Sequence, residues 1–163
     1  MGHIGYLVGR WLPVVLWMGL IFGGSTDVLS TRNTSRFLVP LLRWLKPDIG
    51  DAAIDAIQTV VRKGGHLTEY AVLSVLLWRA LSKPRGAAPS RRHWRCVAMA
   101  VGVASLYAAS DEWHQSFYPS RQASGWDVLI DSAGAAIGLG LVWLYYRWRR
   151  PQSPAGCDLP PIG

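Results

Sequence analysis

The sequence predicts an all-α membrane protein, a polytopic helical bundle of about four transmembrane helices with an interfacial helical segment in the first loop. Half of the 163 residues are hydrophobic, and the mean hydropathy is positive at +0.17. Several apolar segments approach the roughly 20 residues that a helix needs to cross a bilayer. The nine tryptophans support the same class, because several lie near segment ends, where indole rings favour the membrane interface.

Four apolar segments are the predicted spans, within one membrane domain over residues 4–148. The first is open to a second interpretation as a signal peptide, but no cleavage site of small residues follows it. Residues 149–163, rich in proline, are predicted to be a disordered cytoplasmic tail. The predicted spans are Ile4–Gly24, His66–Leu81, Trp94–Ala109 and Val128–Trp148.

The first loop contains two predicted helical segments. Residues 35–45 have leucines at helical spacing beside Arg36 and Arg43, interrupted by Pro40, which is typical of an interfacial or re-entrant segment. After Gly50, Asp51 is expected to cap a second helix. The apolar stripe of that helix consists of Ile54, Ile57, Val60 and Val61.

The distribution of basic residues predicts the orientation. Residues 79–95 contain six arginines and lysines and no acid, and a connection of this kind faces the cytoplasm. Both termini are then cytoplasmic, the protein is a multi-pass protein of the inner (cytoplasmic) membrane, and the loops at 25–65 and 111–127 lie outside. The basic residues of the first loop oppose this trend, but long loops translocate with less regard to charge.

The net charge of +7 does not indicate a nucleic-acid partner. The basic residues lie in loops and the tail, where they contact anionic headgroups, and no basic stripe interleaved with aromatics is present. The two cysteines have no spacing typical of a metal site or a disulfide framework. The lipid bilayer is therefore the expected partner, and the sequence leaves the oligomeric state open.

Ionisable residues cluster at the ends of three predicted spans. A charge at the membrane edge is costly unless it is paired or used, so such residues are functional candidates. The predicted topology places all of them at the outer end, and spacings of three or four residues group them on shared helix faces. We therefore predict one polar pocket at the extracytoplasmic surface, formed by His66, Glu69, Tyr70, Asp111, Glu112, Gln115, Asp127 and Asp131.

Acids grouped with a histidine can divide acid and base roles or hold a divalent metal. His66 is the candidate base or nucleophile, and Glu69, Asp111 and Glu112 are candidate acids, bases or metal ligands. A metal, if one binds, is expected on Asp111, Glu112 and Asp127. The candidate substrate-binding residues are Lys63, Tyr70, Gln115, Arg121, Asp127 and Asp131. Of these, the cations Lys63 and Arg121 are expected to clamp a phosphate.

These residues support three hypotheses. The first is an enzyme, a hydrolase or transferase that acts on a lipid-linked phosphate at the outer leaflet. The second is a non-catalytic protein whose pocket binds a lipid headgroup or an antibiotic. In the third, purely structural hypothesis, Arg121 and His66 neutralise the carboxylates and hold short helices together, and Tyr70 is a packing aromatic.

Three sequence blocks, 63–73, 110–121 and 127–135, resemble the signature blocks of the VanZ-like membrane proteins. They read K-G-G-H-L-T-E-Y-A-V-L, S-D-E-W-H-Q-S-F-Y-P-S-R and D-V-L-I-D-S-A-G-A. The family is associated with resistance to teicoplanin, a glycopeptide that acts on cell-wall precursors outside the membrane, so the resemblance implies a role in the cell envelope without an established reaction.

Two positions depart from the family pattern. Ser120 stands where the family usually has glycine before the arginine, and this change affects only the turn. Asp131 stands where asparagine is usual, so it brings a possible negative charge into the pocket. A role that needs a neutral amide is disfavoured there, whereas cation binding is strengthened.

Overall fold

The computed structural model describes residues 3–25, 31–82, 91–117 and 124–148. Within these ranges the chain forms five α-helices and no strand, which confirms the all-α prediction. Arg121, Ser120 and the predicted tail lie outside the described residues. The helices are α1 (His3–Gly24), α2 (Thr31–Leu45), α3 (Asp51–Leu81), α4 (Arg91–Gln115) and α5 (Gly125–Trp148).

Two of the described helices are long and apolar enough to cross a membrane, namely α1 over Ile4–Gly24 and α5 over Gly125–Trp148. The second and third predicted spans lie inside α3 and α4, which are helical but do not meet this criterion. In α4 the reason is that charged residues lie near both ends, so the uncharged stretch between Arg95 and Asp111 is short.

The helices present apolar side chains on their outer surfaces as well as in the core. In α4, small alanines spaced four apart face inward, while Leu106 on the other side is 74% exposed. In α1 and α5, Leu20 and Leu141 are exposed in the same way. A helix that is hydrophobic all round is typical of a membrane environment. The inward alanines of α4 are Ala100, Ala104 and Ala108, each fully buried.

Helices α3 and α5 approach each other closely at two glycines. A Cβ atom added to Gly138 would lie 2.5 Å from the carbonyl oxygen of Ala71, and one added to Gly134 would meet the carbonyl oxygen of Leu67. Small residues four apart allow helix backbones to pack in this way in membranes, as the G-x-x-x-G spacing predicts. Ser74 adds a hydrogen bond from its hydroxyl to the Ala135 carbonyl oxygen at 2.8 Å.

Helix α1 runs antiparallel to α3. In the C-terminal half of α1, the Trp17 indole donates to the Glu69 carbonyl oxygen at 2.9 Å. Near its N-terminal end, the Arg10 guanidinium donates to the carbonyl oxygens of Arg79 and Ser82 at the end of α3. The C-terminal end of α1 therefore lies beside the middle of α3, where the predicted site residues are.

Helix α2 confirms the predicted helical segment of the first loop, although Pro40 does not interrupt it. It lies against the first part of α3, where Ser35 and Gln58 are hydrogen-bonded at 3.2 Å, and it leaves Phe37 and Trp44 exposed. The prediction that Asp51 caps α3 was wrong. Gly50 is the N-cap and has no side-chain cap, because Asp51 is already in the first turn.

Candidate functional site

Four helices meet at one end of the bundle, and the predicted site residues on α3, α4 and α5 lie near this end. The Gln115 amide at the end of α4 donates to the Ser25 hydroxyl, just beyond α1, at 3.3 Å. At the start of α5, the Ser124 backbone N–H donates to Glu112 Oε2 at 3.0 Å. Residues that are far apart in sequence are thus brought to one polar cluster by the antiparallel packing.

Most of the acidic residues in this cluster are buried. Asp131 is fully buried, and the exposed fractions of Asp111, Glu112 and Asp127 are 2%, 5% and 3%. A buried carboxylate is costly unless cations or hydrogen-bond donors surround it. The partners of each acid therefore indicate what the cluster can bind.

Asp127 is paired with two cations from α3. Arg62 Nη1 lies 3.4 Å from one carboxylate oxygen, and Lys63 Nζ lies 3.3 Å from the other. Both basic side chains remain partly exposed, whereas the Asp127 side chain is only 4% exposed. The predicted anion-binding residue Lys63 thus lies at the rim of the cluster, held in place together with Arg62 by a buried acid.

Asp111 and Glu112 each have one oxygen in a hydrogen bond. Gln115 donates to Asp111 Oδ2 at 2.9 Å, one helical turn away, and Ser124 donates to Glu112 Oε2. The other oxygen of each, Asp111 Oδ1 and Glu112 Oε1, is buried with no hydrogen-bond partner among the described residues.

His66 faces Asp131 across the α3–α5 contact. The Nδ1 atom of His66 lies 3.5 Å from Asp131 Oδ1, and neither carboxylate oxygen of Asp131 has a hydrogen-bond partner in the described parts of the chain. One ligand atom each from His66, Glu112 and Asp131 lie within 4.8 Å of one another. Three helices therefore contribute to one group that has the spacing of a metal site.

Glu112 lies beyond the predicted third span, which ends at Ala109. Burial raises the pKa of its carboxyl group, and the nearby carboxylate of Asp127 raises it further, while the hydrogen bond from Ser124 acts in the opposite direction. A carboxyl group whose pKa is raised in this way holds its proton more readily than an exposed glutamate does.

The remaining predicted residues have different positions. Glu69 is partly buried, and its backbone carbonyl anchors the indole of Trp17. Tyr70 is fully buried in the hydrophobic core, with its ring 6.4 Å from that of Tyr107. Its hydroxyl has no hydrogen-bond partner among the described residues. The ring of Tyr70 is thus part of the hydrophobic core.

Sequence reasoning missed Ser25 and Ser124 as members of the site. For Ser124 a signal was present, since Ser124 and Asp127 have the three-residue separation of an N-terminal helix cap and N3 acid. The Ser124 hydroxyl accepts a hydrogen bond from the Trp126 N–H at 3.2 Å, at the start of α5. For Ser25 no comparable signal exists, because its contact depends on where α1 ends relative to α4.

Comparison with known proteins agrees with the resemblance of the three blocks. The sequence profile of the VanZ/LLP1 family matches residues 10–146, which include every residue of the polar cluster. No curated protein and no solved structure matches the chain. Because the match extends over most of its length, the chain belongs to the VanZ/LLP1 family.

Proposed function

We propose that the protein crosses the inner (cytoplasmic) membrane four times, with both termini in the cytoplasm and the polar cluster at the extracytoplasmic face. Helices α1 and α5 are long and apolar enough to cross a membrane, and both α3 and α4 pack against α5. Helix α3 ends, and α4 begins, at the end of the bundle opposite the cluster, and the sequence between Arg79 and Arg95 is strongly basic. The positive-inside rule therefore supports this orientation. Residues 4–148 form the membrane domain in this proposal.

We further propose that the cluster binds a lipid-linked phosphate or a related cell-envelope precursor and catalyses hydrolysis or transfer at the phosphate. The observation that supports this proposal most strongly is that two partly exposed cations lie beside a cluster of one histidine and two buried acids. Arg62 and Lys63, held by Asp127, supply positive charge at the rim, and His66, Glu112 and Asp131 lie within 4.8 Å of one another in the interior.

The chemistry of a phosphate ester matches this arrangement. Arginine binds phosphate oxygens through paired N–H groups and lysine through a point charge, so the rim attracts the headgroup. The group formed by His66, Glu112 and Asp131 offers an imidazole and two carboxyl groups, which act on a phosphate either as acid and base or by holding a divalent metal ion beside it. A substrate whose lipid chain remains in the bilayer reaches such a site without leaving the membrane.

The family relationship supports a role in the cell envelope, since the family name is linked to glycopeptide resistance. A non-catalytic protein that captures a headgroup or an antibiotic in the same pocket is the competing function. The two functions differ in one respect, because only an enzyme releases a product.

The proposal is tested by incubating the purified full-length protein with radiolabelled polyprenyl phosphates, polyprenyl diphosphates and phospholipids, with and without divalent metal ions. We expect a labelled product from at least one lipid, and we expect Glu112→Gln to abolish its formation. Asp55→Asn, which alters an exposed acid on α3, is the matched control and should retain full activity. Binding of these lipids without any product would contradict catalysis and favour the non-catalytic function.

A further inference from the structure

The carboxylate oxygens of the buried cluster outnumber the hydrogen-bond donors that the described residues direct at them. Arg62 and Lys63 both pair with Asp127, and Glu112 receives one N–H from Ser124. Four carboxylate oxygens, Asp111 Oδ1, Glu112 Oε1 and both oxygens of Asp131, are buried with no hydrogen-bond partner among the described residues. A fully buried carboxylate such as Asp131 is costly unless a cation lies nearby or the group takes up a proton.

The contact with His66 does not provide Asp131 with a hydrogen bond. Its Nδ1 atom lies 3.5 Å from Asp131 Oδ1, which is longer than a hydrogen bond between a charged nitrogen and a carboxylate. The same atom has no hydrogen-bond partner in the described chain. The two groups are therefore close enough to share a third partner but too far apart to satisfy each other.

The spacing of the three side chains suits a metal ion as that partner. One nitrogen of His66 and one oxygen each of Glu112 and Asp131 lie within 4.8 Å of one another. An ion with ligand distances of about 2.0–2.2 Å has ligand atoms roughly 3–4.4 Å apart, so only small side-chain movements are needed. The close contact at Gly134 fixes the backbone of α3 against α5 beside these ligands.

We propose that His66, Glu112 and Asp131 form a binding site for a divalent transition-metal ion, with Zn²⁺ or Mn²⁺ as the ion that occupies it. An imidazole nitrogen with two carboxylate oxygens favours these ions over Ca²⁺ and Mg²⁺, which prefer oxygen ligands alone. Three protein ligands leave coordination positions for water or for an oxygen of a phosphate. Bound there, the ion supplies positive charge to a phosphate and lowers the pKa of a coordinated water.

This assignment shares only Glu112 with the metal ligands expected from the sequence. Asp127 is engaged by Arg62 and Lys63, and Asp111 does not belong to the group whose ligand atoms lie within 4.8 Å of one another. Ion binding by these three residues does not depend on catalysis, so the ion is expected there even if the pocket releases no product.

The test uses full-length protein in detergent, stripped of metal with a chelator and titrated separately with Zn²⁺, Mn²⁺, Mg²⁺ and Ca²⁺ by calorimetry. We expect one equivalent of Zn²⁺ or Mn²⁺ per chain and a rise in the thermal midpoint with the bound ion. Asp131→Asn and Glu112→Gln should each weaken binding at least tenfold, whereas the control Asp55→Asn should bind as the unaltered protein does. The midpoint of each metal-free variant reports whether it is folded.

Three results would overturn the assignment. The first is an absence of stoichiometric binding by the unaltered protein, and the second is unchanged affinity in folded Asp131→Asn and Glu112→Gln variants. The third is preferential binding of Mg²⁺ or Ca²⁺, which would contradict the role of the imidazole. Because no lipid is present in these titrations, their failure is distinguishable from a failure to detect a lipid product.

Discussion

Replacing Gly138 with valine is expected to lower the free energy of unfolding by about 3 kcal/mol or more, the upper part of the range for overpacked sites. The added Cβ would lie 2.5 Å from the Ala71 carbonyl oxygen, and a backbone atom cannot move aside as a flexible side chain does. Relief requires α3 and α5 to separate, which also disrupts the contact between His66 and Asp131. Thermal unfolding in detergent, followed by circular dichroism, measures the effect.

Gly140→Val is the matched control on the same helix. A Cβ atom at Gly140 meets nothing within 4 Å, so this variant should unfold at nearly the same temperature as the unaltered protein. Gly134→Val should behave like Gly138→Val, because its Cβ would meet the Leu67 carbonyl oxygen. Equal stability of the Gly138 and Gly140 variants would show that α3 and α5 are not in close contact.

Replacing His66 with glutamine is expected to reduce turnover of the lipid phosphate at least about a hundredfold, the lower end of the effect of a lost acid–base group. Glutamine has an uncharged side chain that is able to donate to Asp131, but its amide neither accepts a proton near neutral pH nor replaces an imidazole as a metal ligand. The measurement compares initial rates with the labelled lipid at saturating concentration, and lipid binding is measured in parallel.

His114→Gln is the control for this variant. His114 lies on α4 with its ring stacked on Phe22 at 4.3 Å, apart from the group formed by His66, Glu112 and Asp131. Its replacement should leave the rate within about threefold of the original, a difference of less than 1 kcal/mol in the activation barrier. Normal turnover by a folded His66→Gln variant would exclude His66 from the reaction.

Much of the fold was predictable because helical periodicity and hydropathy are local properties of the sequence. The spacing of leucines around Arg36 and Arg43 correctly predicted a helix in the first loop, and the G-x-x-x-G spacing of Gly134 and Gly138 is typical of the close contact that α5 makes with α3. The end of a helix is less predictable. Gly50 rather than Asp51 caps α3, since either residue is favourable at that position and the backbone path decides between them.

The pairings within the site depend on the axial position of one helix against another, which local patterns do not report. Asp127 meets Arg62 and Lys63 only because the backbones of α3 and α5 approach at Gly134, which sets their relative position. The same contact places His66 opposite Asp131. The sequence therefore indicated which residue types belong to the cluster, whereas the packing determines which of them are paired.

The orientation of the polar cluster is most directly tested by cysteine labelling at the two ends of α5. Trp126, near the cluster, and Trp148, at the opposite end, are 74% and 84% exposed, so a cysteine at either position is accessible to a reagent. Both substitutions are made in a chain that carries Cys96→Ser and Cys157→Ser. We predict that a membrane-impermeant maleimide labels Trp126→Cys in intact cells and Trp148→Cys only after permeabilisation. The reverse pattern would place the cluster in the cytoplasm and contradict action on a lipid phosphate at the outer leaflet.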